Sequence, residues 1–340
     1  MSERDLLAAA KRGDEDAFGR LVAPYRRELQ AHAYRMLGSA ADAEDALQEA
    51  LLGAWRGMAR FEGRSSLRSW LYTITTNASL KAIRQRPRRV LPIDYGPPAD
   101  PHDRPTEPLL ESVWIEPIPD EHVFVEDEAA SPEARYERRE SVELAFVAAL
   151  QHLSARHRAV LILRDVLGFS ARETAAMLET TPISIDSALQ RAHKTVEKRL
   201  PDQSQQAALR SLGDAELREL IGGYMEAWES ADVSAIAAML AQDATLTMPP
   251  LREWYTGPDA IAHFLARYPL GEDAGRRRFV PTRSNGQPAA AHYTWDADAQ
   301  AFLPHAIHVL GLDGNRIRDI TIFQTPEAFD RFGLPERIEP

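Results

Sequence analysis

The side chains with the plainest chemistry in this 340-residue chain are Ser187, Gln190, Arg191 and Lys194, spaced three, one and three residues apart. On a helix they share one polar, basic face, whose hydroxyl, amide, guanidinium and ammonium groups suit the base edges and phosphates of a DNA groove. Sulfur chemistry is excluded: the chain has no cysteine, so disulfides, thiolate metal sites and cysteine nucleophiles are ruled out.

The element that must present these residues is residues 171–199, ARETAAMLETTPISIDSALQRAHKTVEKR. Ala175, Ala176, Met177 and Leu178 let a first helix pack closely. Residues 179–182 then break the apolar period, because Pro182 biases its predecessor away from helical geometry. Ser184 is expected to N-cap a second helix that buries Ile185, Leu189, Ala192 and Val196. A short supporting helix followed by one with a polar face is a helix-turn-helix. An ordinary helical hairpin with a solvated face has the same periodicity.

Three further helices are expected upstream. Residues 16–37 place Phe18, Leu21, Val22, Tyr25, Leu29, Ala33, Met36 and Leu37 at spacings of three and four, and stop at Gly38. Residues 42–61, DAEDALQEALLGAWRGMARF, put Asp42, Glu44 and Asp45 at a helix start, where acids suit the dipole. Ala46, Leu47, Ala50, Leu51, Ala54 and Trp55 line its apolar side. Asp45, Gln48, Glu49 and Arg56 form the polar side, for which plain solvation is the simple account. Residues 66–84 form a third helix that ends in RQRPRR. There Lys81, Arg84, Arg86, Arg88 and Arg89 crowd together with no acid expected nearby. With Trp70, Tyr72 and Asn77 ahead of them, these cations suit phosphates and unpaired bases of melted DNA. A solubilising helix end with Trp70 and Tyr72 in the core accounts for the same residues.

The net charge of −11 looks wrong for a nucleic-acid binder until it is divided. Residues 1–90 hold 16 Lys/Arg against 11 Asp/Glu, residues 91–140 hold 4 against 14, residues 141–200 hold 8 against 6, and residues 201–340 hold 12 against 20. Two basic blocks are thus separated by an acidic spacer and followed by an acidic domain. The spacer, from Pro92 to Pro132, is dense in proline and acid, so it is expected to be extended and mostly unfolded alone. Its island LLESVWIEPIPD, with Leu109, Leu110, Val113, Trp114 and Ile115, has two readings: a patch packed on a neighbouring domain, or a segment that threads a groove on a partner. No apolar run reaches membrane-spanning length and the N-terminus is charged, so a soluble cytoplasmic protein is expected.

The segments FGRLVAPYRRELQAHAYRMLG, DAEDALQEALLGAWR and FEGRSSLRSWLYTITTNASLKAIRQRPRR resemble the second domain of sigma-70-family initiation factors of the extracytoplasmic-function (ECF) type. LQHLSARHRAVLILRDVLGFS with the helix-turn-helix resembles their fourth domain. The matches stand in the family's order with a linker between. The acidic linker and the extra C-terminal domain resemble the SigG-like branch. The resemblance implies a multidomain fold: residues 1–91 as an all-α σ2 bundle, 92–133 as the linker, 134–201 as σ4, and 210–335 as an accessory domain. It implies that Asp45, Gln48 and Glu49 dock on the clamp helices of the largest subunit of core RNA polymerase. It also implies that Trp70, Asn77, Lys81, Arg84 and Arg88 bind promoter DNA at the −10 element. Ser184, Asp186, Ser187, Gln190, Arg191 and Lys194 would read the −35 element, where Gln and Arg can make paired hydrogen bonds to adenine and guanine. Asp186 departs from the Asn or Arg often found there, and would accept from a cytosine amino group or cap the helix. The linker would run through the active-site and RNA-exit region of polymerase.

The C-terminal third reads as two helices and a strand, a third helix at residues 257–268, and four strands joined partly by turns at Asn285-Gly286 and Asp313-Gly314. This order resembles the SnoaL-like fold, an α+β cone of curved antiparallel sheet and helices. The resemblance implies a pocket, with Trp228, Trp254, His263, His292, Trp295 and His305 as candidate lining, joined by Met248, Tyr255 and Tyr293. His308 alternates with Ile307 and Val309 and could also point inward. No Asp/His pair stands at a fitting spacing, so no catalytic residue, cofactor or metal is expected, and the domain is expected to modulate the sigma core, with a small molecule as its ligand. Two alternatives belong to other classes: a ligand-sensing helix-turn-helix regulator, and a SnoaL-like cyclase or isomerase carrying a DNA-binding tag.

Overall fold

A computed structural model describes residues 2–109, 113–124, 139–201, 203–271 and 275–340. The chain divides into two compact units, residues 1–89 with 121–200, and residues 90–120 with 201–340.

The first unit is helical. It opens with α1 (Glu3–Lys11), α2 (Glu15–Val22) and α3 (Arg26–Leu37), followed by α4 (Ala40–Gly57) and α5 (Leu67–Gln85). The single helix expected over residues 16–37 is broken by a 3-10 turn at Ala23–Tyr25. Pro24 causes the break, since it has no N–H to donate and its ring crowds the preceding turn. The stop at Gly38 is as expected, with a left-handed φ of 69°. Helix α4 starts two residues before Asp42, because Ser39 accepts from the Asp42 N–H; Ser66 caps α5 in the same way.

The second half of this unit has α6 (Leu144–Gln151), α7 (Ala155–Leu161) running on into a π turn at Ile162–Val166, then α8 (Ala171–Met177) and α9 (Pro182–Val196). Helices α8 and α9 are the helix-turn-helix, with Glu179 left-handed at φ 50° in the turn. Leu163, Phe169 and Met177 enter one apolar cluster with Leu21, Leu47, Leu71 and Tyr72 of the first half. Polar groups reinforce the joint. The Arg35 guanidinium donates to the Ser141 carbonyl at 3.0 Å and to its hydroxyl at 2.7 Å, and Arg158 donates to the Met36 carbonyl. Arg68 stacks over both Tyr72 (4.9 Å) and Phe169 (5.1 Å).

The second unit contains α10 (Gln205–Ser211), α11 (Asp214–Glu229), α12 (Val233–Met239) and α13 (Pro258–Arg267). Its six strands are β1 (Leu240–Thr247), β2 (Trp254–Thr256), β3 (Arg277–Ser284), β4 (Gln287–Asp296), β5 (Ala301–Asp313) and β6 (Arg316–Phe323), in the sheet order β2-β1-β6-β5-β4-β3. Only the β1–β6 pair is parallel. The β3–β4 turn is Asn285-Gly286, both with positive φ (58° and 71°), as that two-residue hairpin requires. Tyr224 and Trp228 of α11 are buried with Leu246, Ala306, Leu310 and Ile320 of the sheet.

The described part of the acidic spacer, expected to be extended and mostly unfolded alone, is fixed on this unit. The Asn285 N–H donates to the Ile118 carbonyl (3.0 Å), and the Ile118 N–H donates to the Asn285 side chain (3.1 Å). Asp120 accepts from Arg283 and from the Gly286 N–H. Trp254 Nε1 donates to the Gly96 carbonyl (2.8 Å), and the Tyr268 hydroxyl donates to the Asp103 carbonyl (3.1 Å). Of the island, Val113, Trp114 and Ile115 are buried, and Trp114 forms a bridge with Val90; Leu110 lies outside the described residues. Proline removes repeating ladder bonds, yet the remaining peptide groups still bond one at a time to a preformed edge.

Candidate functional site

Helices α4 and α5 pack antiparallel, so the acidic start of one meets the basic end of the other. Asp45, Gln48 and Glu49 are exposed on α4. Glu49 pairs with Lys81 at 2.5 Å, and Asp45 with Arg86 at 3.2 Å. The expected cluster of cations without an acid is therefore corrected. Arg86 and Arg89 both grip Asp42, which is only 4% exposed, and Arg89 is 5% exposed. The acids lie more than 30 residues upstream, so no local charge pattern exposes the pairing. The outer pairs are worth about 0–1 kcal/mol each and give way cheaply to another partner.

Residues 70, 77, 81 and 84 follow one stripe of α5. Asn77, Lys81 and Arg84 are exposed, while Trp70 is half-buried against Phe61 at 4.9 Å. Arg84 turns back on its own helix, donating to the Leu80 carbonyl. Arg88, also exposed, contacts the His152 ring at 2.6 Å.

On α9, Ser184, Asp186, Gln190, Arg191 and Lys194 are exposed and Ser187 is half-buried. Ile185, Ala188, Ala192 and Val196 form the buried side. The cap is corrected from Ser184 to Thr181, whose hydroxyl accepts from the Ser184 N–H, with Pro182 at the first helical position. Asp186 sits a full turn further in, so it does not cap the helix. The structure adds Ile183, 79% exposed at the start of α9. Its signal in the sequence is an apolar residue outside the buried stripe, the kind of group that can meet a thymine methyl. His193 pairs with Asp165 and ties α9 to the π turn.

The six residues expected to line a cone pocket do not converge. Trp228, His292 and His305 lie together: the His292 ring is 6.1 Å from Trp228 and 4.8 Å from His305. Trp254 and His263 instead face the spacer, His263 lying 4.1 Å from His102. Trp295 is one residue out of phase with Thr294 and His292, so it falls on the other face of β4, against Phe302 and Arg276. His308 does point inward. It is fully buried, with Tyr224 hydroxyl at 2.9 Å and the His292 ring nitrogen at 3.3 Å. Burial holds His292 and His308 well below the usual imidazole range, with neighbouring His charges adding to it. His305 is the extra residue of a β-bulge, since His292 pairs with Ala306 and Tyr293 with Pro304. Among the described residues no carboxylate hydrogen-bonds to this cluster, and no group of three or more His, Cys, Asp or Glu is arranged to hold a metal. Two neutral imidazoles and a phenol in this contact can relay a proton along the row Tyr224, His308, His292.

Comparison with known proteins agrees with this division. Residues 21–89 match Sigma-70 region 2, residues 143–196 match Sigma-70, region 4, and residues 221–320 match the SnoaL-like domain. Over 332 residues the chain is 41% identical to the ECF RNA polymerase sigma factor SigG of Mycobacterium tuberculosis, covering 97% of this chain and 86% of the relative. The chain belongs to the ECF sigma factor family. It is an RNA polymerase sigma factor of transcription initiation with a SnoaL-like domain at its end, and neither the stand-alone regulator nor the cyclase reading is favoured. This ECF sigma factor is also 31% identical to SigM of M. tuberculosis over 199 residues, 58% of its own length and 85% of that relative. Its fold is similar to the crystal structure of M. tuberculosis SigJ (TM-score 0.57, 21% identity, 91% of this chain and 97% of that one). The α4–α5 pair and the α8–α9 pair of the ECF sigma factor both fall inside the matched regions.

Proposed function

We propose that this ECF sigma factor docks on core RNA polymerase through Asp45, Gln48 and Glu49, and reads promoter DNA at two places. Trp70, Asn77, Lys81, Arg84 and Arg88 would take the −10 element as unpaired bases and phosphates. Ser184, Asp186, Ser187, Gln190, Arg191 and Lys194 would take the −35 element in the major groove. The clamp helices of the polymerase largest subunit are the proposed contact for α4, and the work is done in the cytoplasm. The supporting observation is the α4–α5 pair, where an exposed acidic row lies beside an exposed amide and cation row, and Asp45 and Glu49 themselves are held by surface pairs of little strength.

The test is Asp45→Arg with Glu49→Arg. Because both positions are exposed, the fold is expected to survive, by circular dichroism, while binding to core polymerase is lost. Normal holoenzyme formation by the folded variant would remove α4 as the docking face.

The SnoaL-like domain, residues 210–335, is assigned a modulating role without catalysis. The hydrogen bonds that fix the spacer to it support this reading, because a linker held there is not free to enter polymerase. A ligand that altered the sheet edge at Ser284 and Asn285 would change that hold.

A further inference from the structure

The first unit contains a cavity of about 160 Å³ between the end of α5 and the start of the second half. Arg86, Arg88, Arg89 and Arg158 line it, with Asp42 and Gln151. Among the described residues that line it, Asp42 is the one carboxylate beside four guanidinium groups, and it is held by Arg86 and Arg89.

Arg158 is the least compensated of the four. It is 4% exposed, and its terminal nitrogens donate to neutral oxygens: the Met36, Gln151 and Leu153 carbonyls and the Gln151 side chain. Its Nε, also buried, has no hydrogen-bond partner, and no ion pair to it occurs among the described residues. Burial, with the charge of Arg88 beside it, pulls the Arg158 guanidinium down to about 10. A buried charge without a counter-ion is costly, and the group that relieves several arginines at once is a compact polyanion accepting paired N–H bonds. A cavity of about 150 Å³ admits a benzene-sized molecule, so this one has room for one or two phosphate groups and none for a nucleoside.

We propose that this cavity binds a small phosphate-type anion, either free or as the terminal phosphates of a nucleotide whose remainder lies outside, past exposed Arg86 and Arg88. Because its walls come from both halves of the unit, the bound anion holds the two halves together and withdraws Arg88 from DNA.

The test is calorimetry on the full chain at constant ionic strength, with inorganic phosphate, pyrophosphate and ATP as titrants and sodium acetate as control. Saturable one-to-one binding of phosphate is expected, with pyrophosphate at least tenfold tighter. ATP as tight as pyrophosphate identifies the nucleotide source, and weaker ATP the free anion. Arg158→Gln and Arg88→Ala are each expected to weaken pyrophosphate at least tenfold. Arg88 is exposed, so its variant decides the matter even where Arg158→Gln does not fold. Absence of saturable heat with every phosphate, equal binding of acetate, or unchanged binding by Arg88→Ala overturns the proposal. No polymerase is present in this measurement, so its failure is separate from failure of the docking assignment.

Discussion

Phe169→Ala should open the first unit and strengthen its engagement with polymerase. A compact body of the unit's roughly 170 residues is about 40 Å across. The −10 and −35 elements are about 25 base pairs apart, or ~85 Å along B-DNA. The helices proposed to read them must therefore separate before both can bind. Phe169 is a large part of what holds them together: it is 5% exposed, edge-on to Tyr72 at 5.3 Å, with Arg68 over its ring at 5.1 Å. Truncating a buried Phe costs about 3–5 kcal/mol, ring pairing and stacked Arg included. If only about 3 kcal/mol of that falls on the joint, the open form gains roughly 100-fold relative to the closed one. Binding to polymerase on promoter DNA, where both elements must be met at once, then tightens by the same factor until the open form dominates. The assay is a donor–acceptor distance between labels on α1 and α9, with affinity for polymerase on promoter DNA titrated in parallel. A variant that keeps its secondary structure, yet shows the parental distance and affinity, would refute the reasoning.

Three other perturbations test separate parts of the structure. Asp42→Asn keeps the shape but removes the charge gripped by Arg86 and Arg89, and should cost about 3 kcal/mol in urea unfolding; a loss under about 1 kcal/mol would show the two arginines satisfied elsewhere. Asn285→Gly preserves the left-handed turn but removes the acceptor for the buried Ile118 N–H. An orphaned donor costs about 1–3 kcal/mol, so trypsin should cut faster at Arg104 of the spacer, and an unchanged rate would deny that this clasp holds it. His32 is fully buried and its imidazole is held down at about 3, mainly by burial and then by the Arg35 charge. Its folded value lies below the unfolded one, so only the unfolded chain takes the proton between about 6.5 and 3. Stability is full above that window and falls as pH drops through it, by up to about 1.4 kcal/mol per pH unit for this group. His32→Gln should flatten that slope in pH-dependent melts; an identical slope would place the acid sensitivity in other groups.

Periodicity and punctuation carried the elements: the apolar stripe of α9, the stop at Gly38, and the Asn285-Gly286 hairpin all follow from local rules that act within one or two turns of chain. They failed where two local signals competed. At α9 both Thr181 and Ser184 can cap, and Pro182 decides for Thr181 because a proline fits the first helical position and a cap at Ser184 would come three residues late. The candidate sites were less legible because their decisive neighbours are remote. Asp42 stands 47 residues from Arg89, and Tyr224 stands 84 from His308. Each side of such a pair reads alone as an ordinary surface acid or a strand histidine. The spacer shows the same gap in reverse: its composition argues against a core of its own, correctly, but says nothing of a sheet edge elsewhere that can supply the missing partners one bond at a time. Between these bonds the spacer buries its few apolar residues, Val113, Trp114, Ile115 and Ile118. Its hold is therefore a sum of separate contacts along the chain, each of which can open locally.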